Sequence, residues 1–155
     1  MISILYDNEF LLNAIQLIRG ARHSIDISTF KAEMTTKPRG RKLLEFFLAI
    51  QAAALAGIPV RFLISKREDN GHVPFTNLYA VRELKANHVK VRHLRNSRLC
   101  HAKVIIVDGY QAIIGSHNLS VKACHNNFEV SCLITDSEAL KRLLAIYNQT
   151  WENAK

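Results

Sequence analysis

Between positions 101 and 118 the chain reads HAKVIIVDGYQAIIGSHN. His101 and Lys103 stand one residue apart, and Ser116 and Asn118 follow just past Gly115. A neutral imidazole is a good nucleophile near neutral pH, and an ammonium group beside it is a compact charge for an anion. A hydroxyl and a carboxamide add neutral hydrogen-bond donors. Together these groups suit a phosphate diester. The imidazole would serve as nucleophile or base beside the cation.

The flanking residues indicate how such groups are positioned. Val104-Ile105-Ile106-Val107 is a β-branched run, hence a strand in which alternate side chains share a face. His101 and Lys103 therefore point the same way. Asp108-Gly109 is a turn signal, with a second apolar run, Ala112-Ile113-Ile114, behind it. The short connection predicts an antiparallel hairpin. Gly115 lets the backbone approach closely, and Ser116 and Asn118 fall on one face beyond it. Asp108 lies five residues past Lys103, about 16 Å along an extended strand. It is expected to be structural, with a nearby basic group as its candidate partner. Arg95 and Arg98, just upstream of His101, and His117, within the motif, are candidate substrate contacts.

These residues match the pattern H-x-K-x4-D-x6-G-S-x-N at every defining position, and Asn127-Phe128-Glu129 follows as an N-x-E element. In both respects the chain resembles the phospholipase D superfamily, and it is most similar to the small bacterial endonucleases of that group with one motif per chain. The resemblance implies a phospholipase D-like α-β-α sandwich and a metal-independent phosphodiesterase with no cofactor. It implies a phosphohistidine on His101, phosphoryl oxygens held by Lys103, Asn118 and Ser116, and Glu129 hydrogen-bonded to the far nitrogen of His101 to set its tautomer. Asp108 and Gly115 are motif positions read as structural. Larger members carry two motifs and divide nucleophile and general acid between two histidines. With one motif here, a homodimer is expected to build the site on its two-fold axis.

Composition agrees with such a protein. The 155 residues suit one domain over 1–155, and 48% hydrophobic with 22% charged residues is ordinary for a folded chain. The net charge of +8 points to a polyanion, nucleic acid or an anionic membrane. No apolar run approaches the roughly 20 residues of a transmembrane span. The N-terminus lacks a basic leader region, so the cytoplasm is the default location; a signal peptide already removed would leave the same picture. Cys100, Cys124 and Cys132 are odd in number without a CxxC pair, which argues for buried thiols rather than disulfides. Cys100-His101, Cys124-His125 and His117 match no zinc spacing, and no metal site is expected.

Helices are predicted from Phe10 to Ile18, Arg41 to Ala56, Asn77 to Ala86 and Ser137, a candidate cap, to Trp151. Strands are predicted from Ser24 to Phe30, Val60 to Ile64, Val89 to Leu94 and Phe128 to Thr135, besides the two of the motif. Alternating elements give an α/β layered domain with a mixed central sheet. Lys31, Lys37, Arg39, Arg41, Lys42, Arg92, His93, Arg95 and Arg98 form a basic footprint for a phosphate backbone. The leading expectation is a nuclease for DNA or RNA. The alternatives are a phospholipase D or phosphatidyltransferase acting on phospholipid, and a module that binds nucleic acid without cutting it.

Overall fold

In the computed structural model, residues 1–66, 73–94, 98–135 and 137–155 are described. The strands are β1 (Ile2–Tyr6), β2 (Ile25–Thr29), β3 (Val60–Ile64), β4 (Lys90–Arg92), β5 (Lys103–Val107), β6 (Gln111–Gly115) and β7 (Val130–Ile134). The helices are α1 (Glu9–Gly20), α2 (Arg41–Leu55), α3 (Thr76–Ala86), α4 (Val121–His125) and α5 (Ser137–Glu152). Pro38–Gly40 forms a 3-10 turn that leads into α2. The strands make one sheet in the order β1-β7-β6-β5-β2-β3-β4. β2, β3 and β4 run parallel, and every other neighbouring pair is antiparallel. The sheet is therefore mixed, as the short motif connection predicts.

Both faces are apolar because alternate residues of the central strands are apolar on each side. Ile27, Ile105, Val107 and Ile113 pack on one face with Phe10 and Ile18 of α1, Phe46 and Phe47 of α2, and Ala80 and Leu84 of α3. Ile106, Ala112 and Ile134 face the other way, against Leu140, Tyr147 and Trp151 of α5. An interior ion pair ties α5 down. Arg61 holds the buried Asp26 through Nε at 2.6 Å and Nη2 at 2.8 Å, and its guanidinium lies over the rings of Tyr147 and Trp151.

Two elements escape the sequence pattern. β1 is an edge strand whose Ile2, Ile4 and Tyr6 are exposed while Leu5 is buried. Its alternation is short, and Phe10 begins a stronger helical period at once. α4 has five residues and is capped by Ser120 Oγ, which accepts from Ala123 N–H. The predicted strands over 89–94 and 128–135 are shorter in the structure, as β4 and β7. Ser137 does begin α5, but its cap falls outside the described residues.

The partners of Asp108 differ from the basic group expected. Its carboxylate accepts from the backbone N–H groups of Arg22, His23 and Ser24 at 2.7 to 3.2 Å, rather than pairing a basic side chain. It stitches the β5–β6 turn to the start of β2. Asp108 and Gly109 both take positive φ, 54° and 69°, the mirror-image turn that Asp-Gly favours. Burial opposes ionisation of Asp108, but the three N–H donors outweigh it and hold the carboxyl below its ordinary range. The folded pKa is depressed, so its stabilisation is present above the unfolded value and is lost as pH falls through the folded one. Asp108→Asn tolerates the same φ and removes the charge and one of the two acceptor oxygens. It is expected to cost about 1 kcal/mol at neutral pH. In denaturant titrations the gap to wild type should close in acid; a gap that stays constant would disprove the assignment.

Candidate active site

The run before β5 is pinned on both sides of His101. Cys100 N–H donates to Ser65 Oγ at 2.7 Å, and Ser28 Oγ donates to the Ala102 carbonyl at 3.0 Å. His101 itself is exposed, its ring tilted on Phe30 at 5.1 Å. Lys103 Nζ lies 2.9 Å from His101 Nδ1 and donates to the His101 carbonyl at 2.6 Å. The expected imidazole–ammonium pair is thus assembled at one end of the sheet. Burial pushes the Lys103 ammonium below the usual lysine range, against the opposing pull of Glu129. A protonated Lys103 donates only to an unprotonated nitrogen, so this contact favours the proton on Nε2. Attack by Nε2 needs the other tautomer, and hence a phosphate that draws Lys103 away.

Register explains the glycine. Lys103, Gly115 and Ser131 are lateral neighbours across β5, β6 and β7. A Cβ at position 115 would collide with Ser131 Oγ and its backbone, so Gly115 clears room for the neighbouring strand. Ser116 departs from expectation. Its hydroxyl accepts from Val130 N–H at 3.1 Å and donates to the Val130 carbonyl at 3.3 Å. It extends the β6–β7 ladder rather than standing free for a ligand. Asn118 Oδ1 accepts from Lys31 N–H at 3.1 Å, which orients the amide. Among the described residues Nδ2 donates to no protein acceptor, so it is the end left for a ligand.

Glu129 also differs. Its buried carboxylate accepts from Asn127 Nδ2 at 2.8 Å and, among the described residues, does not bond His101. The reason is lateral: Glu129 adjoins β7, and β6 lies between it and β5, which is about two strand spacings. His117 is buried, stacked on Phe10 and hydrogen-bonded to Ser131. It is therefore no open substrate contact.

The basic residues divide. Arg92 stacks on Trp151 and donates to its carbonyl, the His93 ring bonds the Ile64 carbonyl, and Lys42 pairs with Glu45. Lys31 meets Asn118 only through its backbone N–H, its ammonium lying 3.7 Å from Glu33, and Arg98 lies beside His101. Arg95 lies outside the described residues. The three thiols are free, and burial pushes Cys100 up to about 11 and Cys124 up to about 12. Cys100 and Cys124 therefore stay protonated at neutral pH.

Sequence reasoning missed the supports Ser28, Phe30 and Ser65, which are ordinary residues brought in by β2 and β3. It also missed a cleft of about 340 Å3 beside His101, walled by Leu63, Leu94, Leu99, Val104, Leu143 and Ile146. Among the described residues no cluster of His, Cys, Asp and Glu is placed to hold a metal ion.

With this geometry in view, residues 14–151 match the family described as cardiolipin synthase, PLD-like domain. The chain belongs to the phospholipase D-like family. Its superfamily comprises phosphodiesterase-type enzymes. This phospholipase D-like chain is 33% identical to cardiolipin synthase of Geobacillus kaustophilus over 110 residues, 71% of the chain and 22% of that protein. It spans about a fifth of the length of the curated relatives it matches. Its fold is that of Nuc from Salmonella typhimurium, a phospholipase D family member, at a TM-score of 0.82 and 21% identity, covering 100% of this chain and 96% of that one. NucT from Helicobacter pylori follows at 0.77 and 23%, covering 99% and 97%.

Proposed function

We propose that this chain is a metal-independent phosphodiesterase that cleaves nucleic acid through a phosphohistidine on His101, in a homodimeric site. The observation that carries the reading is His101 exposed at a sheet end with Lys103 Nζ 2.9 Å away. Substrate phosphate takes up the Lys103 ammonium and the Asn118 amide. His101 attacks phosphorus, a P–N bond forms, and the P–O bond to the leaving alcohol breaks. The leaving oxygen takes a proton from a second imidazole. Water then attacks phosphorus with that imidazole as base, and the P–N bond breaks.

One chain offers one such histidine, and its own Glu129 faces Asn127. A second copy supplies the missing acid. Support comes from the sheet face that α5 leaves open, where Ile2, Ile4 and Tyr6 are exposed and Phe128, 82% exposed, stands against Tyr6. An apolar stripe of this kind marks an association surface. The charge of +8, with Arg98 at the site, supports a nucleic-acid backbone as substrate.

The aliphatic cleft beside His101 favours a second reading, a phospholipid whose acyl chain lies among the leucines. Among the described residues no helix is long and apolar enough to cross a membrane. One assay separates the readings: purified protein with labelled DNA, labelled RNA and phosphatidylcholine vesicles, each with and without EDTA. Cleavage of nucleic acid undiminished by EDTA is expected. Turnover of lipid alone would establish the second reading. Loss in EDTA with recovery on adding a divalent ion would overturn the phosphohistidine mechanism.

A further inference from the structure

Position 117 is the variable place between Ser116 and Asn118, and here it holds an imidazole that is 1% exposed. The ring stacks on Phe10 with centroids 4.4 Å apart and planes 9° from parallel. Nδ1 lies 2.8 Å from Ser131 Oγ. Nε2 is buried and meets no hydrogen-bond partner among the described residues. Burying an unsatisfied nitrogen is costly, and a phenylalanine would stack on Phe10 without that cost. A small internal pocket of about 10 Å3 touches both His117 and Lys103; Ser28 and Thr29 are its other polar neighbours, and Phe10, Ile27, Val104, Ile105, Ile113 and Leu119 complete an otherwise apolar wall. That is roughly the space one water needs.

We propose that His117 is a positioning residue for Lys103, acting through a single water held in the pocket between them. The water accepts from the Lys103 ammonium and donates to His117 Nε2. The proton of the imidazole then sits on Nδ1, where it donates to Ser131 Oγ. Gly115 makes this possible, since a side chain there would displace the Ser131 hydroxyl. The ammonium is thereby anchored from below and keeps its place when a substrate phosphate draws it off His101. The proposal rests on the reading of Lys103 as the cation that holds phosphate. Burial lowers the His117 pKa, opposed by Glu129 and Asp7, and Lys103 is the cation across the pocket, so the ring stays neutral at ordinary pH.

The test compares His117→Phe, which keeps an aromatic ring on Phe10 and removes both ring nitrogens, with His117→Gln, which returns an acceptor. Melting temperature, kcat, KM and the titration of Lys103, followed by NMR of labelled lysine Cε, are the readouts. The Phe variant is expected to fold with Lys103 titrating at lower pH, kcat down about tenfold and KM little changed, as when other groups behind a site residue are lost. The Gln variant should recover most of both. An unmoved Lys103 titration in the Phe variant, or equal losses in both, would overturn the proposal and leave packing as the role. Should the Phe variant fail to fold, Ser131→Ala decides in its place. It frees the Nδ1 proton and should move Lys103 the same way by less; no movement overturns the proposal. The Lys103 titration needs no turnover, so it stands even if the wild type cleaves no phosphodiester, an outcome that would count against the functional reading instead.

Discussion

His101→Ala is expected to lose at least about a thousandfold in kcat while keeping its fold and its affinity for substrate. That corresponds to roughly 4 kcal/mol of transition-state stabilisation. The size follows from the role, since the variant cannot form the P–N bond at all. The fold should survive because His101 is exposed, with its ring against Phe30 and Lys103 rather than in the core. Near-wild-type melting with undetectable turnover is the expected pair of measurements. Mixing the variant with wild type extends the test to the dimer. If two imidazoles serve one phosphate, activity should fall faster than the wild-type fraction once subunits exchange. Retention of a tenth of wild-type activity, with contamination excluded, would remove His101 as nucleophile. Activity proportional to the wild-type fraction would argue for independent sites.

Lys103→Met should cost about a hundred- to a thousandfold in kcat, because it deletes the charge facing the pentavalent phosphorus and keeps the length of the side chain. Stability should hold or rise, since half-burying an ammonium works against folding. The wild-type pH profile tests the same group. Burial lowers the Lys103 pKa, with Glu129 pulling the other way. Catalysis needs the protonated form, so kcat/KM should decline as pH rises through this lowered value, earlier than an ordinary lysine would dictate. An alkaline limb no earlier than that of a free lysine, or a Met variant within threefold of wild type, would show that Lys103 is not the phosphate-binding cation.

Much of this site was legible because it is local in the chain. His101 and Lys103 lie two residues apart on a strand, so the period of two is enough to put them together. The Asp108-Gly109 turn and the apolar runs on either side of it dictate the hairpin, and the helix and strand periods elsewhere dictate the α/β layering. What depended on distant segments was not legible. The three N–H groups that hold Asp108 come from the start of β2. Ser116 looks free in the motif, but the β6–β7 register brings Val130 to its hydroxyl. Glu129 falls in a good motif position, yet β6 separates it from His101 within the chain. The edge strand β1 was hidden because its partner, β7, is more than a hundred residues away.

The sequence by itself determined the reacting groups, their order and the alternating layers, because residue type and short-range periodicity are properties of the chain. Only the tertiary structure decided which hydroxyls and carboxylates stay available, what lies beneath Lys103 and which face of the sheet is left open. Those depend on strand order and register, which are settled when distant strands bury their apolar faces together, and a one-residue change of register would reverse every side chain involved.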